Sequence, residues 1–310
     1  MQQSEPRHLD RTRVADGVER IYLRASLLTL AGNAFLALAK GTVSYFSGSR
    51  AIYADAINSV TDVAFSLMML LVLRLAVQPA DDSHPHGHDR FEPLVSLVIG
   101  AMMALAGIEA VRSAVQSLVK GSEPVTGYLG LAMPVATAML KVAMYLHIRR
   151  LGRVAGSPAL RAAASDNLSD ILAAVVVLVG VGANTLGWTL ADPIAALGVS
   201  IWIFRNAYQV LSESIGHLVG GAAPPDLYER VREAIAAVPD VLGIDQLIIE
   251  YVGPKVRVDI HVVMDSYATL QVVHRVSHAV REAVESLPDV DHAFVHVEPL
   301  ERLLNSPVER

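Results

Sequence analysis

Two short runs of oxygen-bearing residues, Asn58-Ser59-Val60-Thr61-Asp62 and Asp166-Asn167-Leu168-Ser169-Asp170, lie within stretches apolar enough to cross a bilayer. On an α-helix, residues four apart sit one above the other. Asn58 and Asp62 therefore share one face of the first stretch, and Asp166 and Asp170 one face of the second. A carboxylate at the centre of a membrane helix costs about 2.5–3.5 kcal/mol on insertion scales. A lone Asn in such a helix serves packing through hydrogen bonds, but three carboxylates are too costly for that role and invite a cation. If the two helices face each other, Asn58, Asp62, Asp166 and Asp170 form a cage of oxygens with up to three negative charges, most of which a dication offsets. Carboxylate and amide oxygens are hard donors suited to Mg²⁺, Ca²⁺ and Mn²⁺, whereas Zn²⁺, Cu²⁺ and Ni²⁺ sites usually recruit His or Cys. Neither run offers a nitrogen donor. Asp55 falls on the face of Asn58 and Asp62, near a helix end that water reaches, where it is expected to gate or support the site.

The elements that must position these groups are membrane helices. Apolar windows of about 20 residues, the length that crosses the hydrocarbon core, occur at 23–46, 51–77, 93–119, 129–148, 159–182 and 186–211. The chain has 310 residues, 53% of them hydrophobic and 18% charged, with the charges gathered at the ends and in short loops. The expected fold is therefore an α-helical membrane protein of six transmembrane helices followed by a small cytoplasmic α+β domain. The expected organisation is a tail at 1–20, a membrane domain at 21–219, a linker at 220–225, a soluble domain at 226–300 and a tail at 301–310. Arg7, Arg11, Arg13, Arg20 and Arg24 precede or open the first span with no cleavage pattern after it, so that span is expected to anchor the chain. Arg74, Arg90, Arg149, Arg150, Arg153 and Arg161 fall on the same side, against Arg50 and Lys120 on the other, which places both termini in the cytoplasm. The absence of Cys excludes disulfides and thiolate metal sites. The net charge of −6 is spread along the chain and points to no particular partner; no nucleic acid is expected.

Two further groups of residues could bind metal. Between the second and third spans, residues 79–90 are dense in His and Asp, including Asp81, His84 and His88. In the soluble domain, helix periodicity at 226–238, β-rich runs at 241–252 and 255–264 around Gly253-Pro254, a helix at 269–287 and a strand at 293–298 predict the order αββαβ. Alternation puts Val256, Val258, Ile260 and Val262 on one strand face and Arg257, Asp259 and His261 on the other. Phe294, His296 and Glu298 share a face of the last strand, and His274 and His278 share a face of the helix. A domain of this size gains stability by packing against a second copy.

The whole plan resembles the cation diffusion facilitator family over nearly the entire chain. The run from Tyr53 to Asp62 looks like that family's second-helix motif, and the run from Ser165 to Asp170 like its fifth-helix motif. The resemblance implies a homodimeric divalent-cation exporter in a bacterial plasma membrane. Zinc-transporting relatives usually carry His or Asp where this chain has Asn58, and His where it has Asp166. The combination found here is similar to the bacterial manganese-efflux branch. By the same resemblance, Asp81, His84 and His88 match a loop metal site. His261, His274, His296 and Glu298 match a cytoplasmic one, in which Asp245 stands where a His is usual and Glu298 where an Asp is usual. Arg90 matches a basic residue that pairs with an acidic one after the sixth helix, but Gly220 stands at the acidic position.

The expected mechanism is alternating access, with outward Mn²⁺ exchanged for inward protons at the Asp cluster. Zn²⁺, Fe²⁺ or Co²⁺ as cargo is the first alternative. A second is an intramembrane aspartyl hydrolase using two Asp as a dyad sharing a proton. A third is a metal-sensing scaffold without flux.

Overall fold

The computed structural model describes residues 16–47, 50–120, 128–185, 188 and 190–300. The expected tail at 301–310, the first part of that at 1–20 with Arg7, Arg11 and Arg13, and the start of the sixth apolar window lie outside the described residues. Two compact units divide between Ile215 and Gly216.

The first unit holds six helices: α1 (Asp16–Ser47), α2 (Arg50–Ala76), α3 (Phe91–Lys120), α4 (Tyr128–Ala155), α5 (Pro158–Thr185) and α6 (Ala191–Leu218). Among the described residues, α1, α2, α3, α5 and α6 hold stretches long and apolar enough to cross a membrane; α4 carries Lys141 in its middle and Arg149, Arg150 and Arg153 near its end. Most helices outrun their apolar windows, because hydrophobicity tracks the thickness of the lipid whereas backbone hydrogen bonding continues into polar sequence. The sixth is displaced towards the C-terminus relative to the expected 186–211, with Pro193 in its first turn, where a missing N–H costs least.

Packing follows α1 with α2, α4 with α5, α3 with α5, α1 with α4 and α2 with α3. The close approaches are made by small residues, as membrane interfaces require. Ala159, Ala162, Ala163 and Ala164 of α5 are buried, and Gly32 of α1 leaves the space that Met144 of α4 occupies. The α4–α5 corner is built by Gly156, with φ of 64°, and Ser157, whose Oγ accepts from the Leu160 N–H at 3.1 Å as a helix cap.

The second unit contains α7 (Pro225–Ala236), β1 (Gly243–Val252), β2 (Lys255–Met264), α8 (Leu270–Glu285) and β3 (Val290–Pro299), the predicted αββαβ order. The sheet runs β1-β2-β3, antiparallel across the hairpin at Gly253 (φ 74°) and parallel between β2 and β3. Val231 and Ile235 of α7 and Val276, Val280 and Val284 of α8 bury against Val256, Val258, Ile260 and Val262 of β2. The register puts Gln246, Ile248 and Glu250 beside His261, Asp259 and Arg257 on the other sheet face, with Phe294 and His296 next to them. The third strand begins three residues earlier than its apolar alternation suggested. Val256 pairs with Val290 and the register then shifts by one residue, an irregularity that a period-two pattern does not register.

Candidate metal centre

Asp62 on α2 and Asp170 on α5 share a cation that belongs to the protein. The ammonium of Lys141 on α4 lies 2.5 Å from Asp170 Oδ2 and 3.6 Å from Asp62 Oδ2, and its side chain is 3% exposed. Asp166 stands one turn below Asp170 on α5 and interacts electrostatically with Asp170, Lys141 and Asp62. Asn58 stands one turn from Asp62 on α2 and is exposed. The facing of α2 and α5 expected from sequence is indirect: they are not among the main packing pairs, and the Lys141 side chain of α4 reaches a carboxylate on each. Among the described residues, the groups whose ligand atoms all lie within 4.8 Å of one another are the two histidine clusters below.

To the cage of up to three negative charges expected from sequence, the structure adds a cation of the protein's own, Lys141, which sequence reasoning missed. A signal was present. Thr137, Lys141, Met144 and Ile148 recur at helical spacing and form the buried stripe of α4, so a lysine stood where the pattern wanted an apolar residue. The α1–α2 contact beside Asp62 is polar too. Asn33 Nδ2 donates to Ser66 Oγ at 2.8 Å, and Ser66 Oγ donates to the Asp62 carbonyl at 2.7 Å. Asp55 pairs with buried Lys40 of α1 at 2.9 Å, two turns along α2 from Asp62.

A second buried charge missed from sequence is Glu92 at the start of α3, 1% exposed. Tyr22 Oη donates to its Oε2 at 2.5 Å, Ser157 Oγ donates to its Oε1, and the Ala159 N–H reaches Oε1 at 3.4 Å. One carboxylate thus ties α1, α3 and the α4–α5 corner.

In the loop between α2 and α3, Asp81, His84 and His88 bring their ligand atoms within 4.8 Å of one another. The His84 N–H donates to Asp81 Oδ1 at 2.6 Å and holds this carboxyl below the usual carboxylate range. His88, 3% exposed, has Nδ1 3.1 Å from the Pro79 carbonyl. With a proton on Nδ1 for that contact, Nε2 keeps its lone pair and faces Asp81 Oδ2 at 3.5 Å.

In the soluble domain three of the five expected residues converge. His261 Nδ1 and His296 Nε2 lie 3.6 and 3.3 Å from Glu298 Oε1, and the imidazoles are 4.9 Å apart. His274 instead meets His278 on α8, with rings 4.4 Å apart, and falls outside the cluster, as does Asp245 at the irregularity in β1 between Ile244 and Gln246. The bulge shifts Asp245 out of step with His261, whose partner is Gln246. At Gly220, φ is 72° and a Cβ would meet Glu250 Oε2 at 2.8 Å, so an acidic side chain there would face both strain and like charge.

Comparison with known proteins places both halves of the chain. Residues 26–219 match the cation efflux transmembrane domain and residues 223–300 the cation efflux protein cytoplasmic domain, a dimerisation module. An uncharacterised transporter of Methanocaldococcus jannaschii is 31% identical over 88% of this chain and 96% of its own. The manganese efflux system protein MneS of Bacillus subtilis is 26% identical over 89% and 95%. The cation-efflux pump FieF of Salmonella choleraesuis is 28% identical over 90% and 93%. With both halves matched, the chain belongs to the cation diffusion facilitator family of membrane cation-efflux transporters, and it resembles the bacterial manganese-efflux branch.

Proposed function

We propose that the protein is a homodimeric secondary transporter of a bacterial plasma membrane, with both termini cytoplasmic, that exports Mn²⁺ in exchange for protons. The observation that carries the choice of metal is the donor set. Asn58, Asp62, Asp166 and Asp170 supply oxygen only, and the nitrogen that reaches them is an ammonium, which has no lone pair to give. Because affinity rises along the first-row series from Mn²⁺ towards Cu²⁺, a site for Mn²⁺ gains selectivity from hard ligands and coordination number, not from tightness. Protons compete for the same carboxylates, so each transport step exchanges one for the other as the site faces the two sides in turn. The manganese efflux relatives support this reading.

The imidazole-bearing clusters at Asp81, His84 and His88 and at His261, His296 and Glu298 favour a second reading, export of Zn²⁺, Fe²⁺ or Co²⁺, with these clusters holding the softer metal. The FieF relative is in keeping with it. Metal-resolved flux in proteoliposomes separates the two. The first predicts Mn²⁺ uptake into inside-out vesicles that Asp62→Ala abolishes; avid Zn²⁺ flux with no Mn²⁺ flux would replace it with the second.

A further inference from the structure

Lys141 is a buried charge at the transport site to which the proposed cycle gives no role. Its ammonium lies against Asp170 and within ion-pair reach of Asp62, and these are the carboxylates assigned to the cargo. A metal ion bonds carboxylate oxygens at roughly 2.0–2.6 Å, so a dication seated on Asp170 Oδ2 competes with an ammonium already 2.5 Å from that atom. We propose that Lys141 is a tethered counter-cation of the transport site: it occupies the Asp62–Asp170 pair when the metal is absent and is displaced when the metal loads. It acts as a positioning residue on the ligands and does not bind the cargo.

Three features of the molecule bear on this. The side chain is buried at 3% exposure on the inward stripe of α4, so water screens the ammonium from the carboxylates only weakly. Two carboxylates from different helices, Asp62 of α2 and Asp170 of α5, face the one ammonium, which is the arrangement expected of carboxylates gathered on a counter-cation. The charges also balance. Three ionised Asp and one ionised Lys sum to −2, which one dication neutralises and one monovalent ion does not. A tethered cation thereby penalises empty-site binding of Na⁺ or K⁺ and keeps divalent affinity low enough for release.

The inference rests on the assignment of the transport site above, and it makes a prediction of opposite sign to a structural role. In full-length protein in detergent, Lys141→Met and Lys141→Gln are expected to lower the Kd for the transported metal at least about tenfold, as loss of a unit charge at a low-dielectric site implies. In proteoliposomes both KM and the maximal rate should fall together, since the empty carrier reloads tightly and releases slowly. Lys141→Arg, which keeps the charge, should stay within a few-fold of the parent Kd. Mn²⁺, Zn²⁺ and Co²⁺ are used as separate probes. If the parent transports any of them while both neutral variants bind it as weakly as the parent, or more weakly, with unchanged thermal stability, the counter-cation is refuted and the transport site stands. Should Lys141→Met fold poorly, Lys141→Gln and Lys141→Arg still separate charge from packing, because competition predicts unlike affinities and a packing role predicts like losses. If the parent moves none of the three, the transport reading and this inference fall together.

Discussion

Asp62 and Asp170 are held in register by a residue from a third helix, and the cost of disturbing them follows from what each atom does. Asp62→Ala or Asp170→Ala removes a carboxylate assigned to the cargo and is expected to abolish metal flux while leaving the protein folded, as checked by proteoliposome transport beside size-exclusion chromatography. Asp166→His exchanges a hard oxygen for an imidazole and is expected to raise the ratio of Zn²⁺ to Mn²⁺ flux; an unchanged ratio would show that ligand hardness does not set selectivity. Glu92→Ala deprives Tyr22 and Ser157 of their acceptor. Buried polar groups left unsatisfied cost about 1–3 kcal/mol each, so the melting temperature in detergent should fall well below that of Tyr22→Phe, which removes one donor and leaves the carboxylate served by Ser157. At Asp81 the hydrogen bond from His84 lowers the folded-state pKa, so the stability it contributes is present above the unfolded value near 3.8 and is lost only as pH falls through the lower folded value. The side-chain carboxyl shift of Asp81 in the metal-free protein should therefore titrate below 3.8.

The elements differ in what makes them. In the soluble unit, α7 and α8 are amphipathic helices whose i, i+4 apolar rows cover one face of a three-stranded sheet. Ile235 is fully buried there. Ile235→Ala is expected to cost about 2–5 kcal/mol, read as early loss of the soluble domain's transition in thermal unfolding. Gly221 is fixed by backbone geometry instead: a Cβ would lie 2.9 Å from the Gly216 carbonyl, a backbone atom that a side chain cannot push aside cheaply. In α6, Gly198 has open space at the same position, so Gly221→Ala should destabilise by about 1–3 kcal/mol while Gly198→Ala should not. Membrane helices lack this one-sided pattern because lipid is as apolar as Leu; their contacts are made by small residues and by polar pairs such as Asn33 with Ser66.

At the scale of the whole molecule the electrostatic problem is to carry a dication across a low-dielectric layer and return empty. Exporting two positive charges against an inward-negative potential costs about 2.3 kcal/mol per charge per 100 mV, so the proposed exchange needs inward protons to offset it. An imposed proton gradient directed opposite to the metal is therefore expected to accelerate Mn²⁺ movement in proteoliposomes, and dissipating it with a protonophore should remove the acceleration. The face of the soluble domain's sheet opposite α7 and α8 carries exposed Ile248 and Phe294. That suits the dimerisation role of the matched cytoplasmic domain.

The sequence alone determined what is local and periodic. Apolar windows set the number of membrane helices, alternation set which face of β2 is buried, and the paired i, i+4 oxygens marked Asn58, Asp62, Asp166 and Asp170, because each of these patterns is a property of one element. Only the tertiary structure decided which elements share a charge. Lys141 was one cation among 25 Lys and Arg in the chain until its side chain reached a carboxylate on each of α2 and α5. Glu92 becomes a buried acceptor only because Tyr22 of α1 and Ser157 of the α4–α5 corner meet on it. His274 and Asp245 had the right residue types but stand apart from His261, His296 and Glu298, because one turns to its helix neighbour and the other sits at a bulge. Coulomb interactions and coordination act through space over a few ångströms, and distance between elements is a quantity that no pattern along the chain encodes.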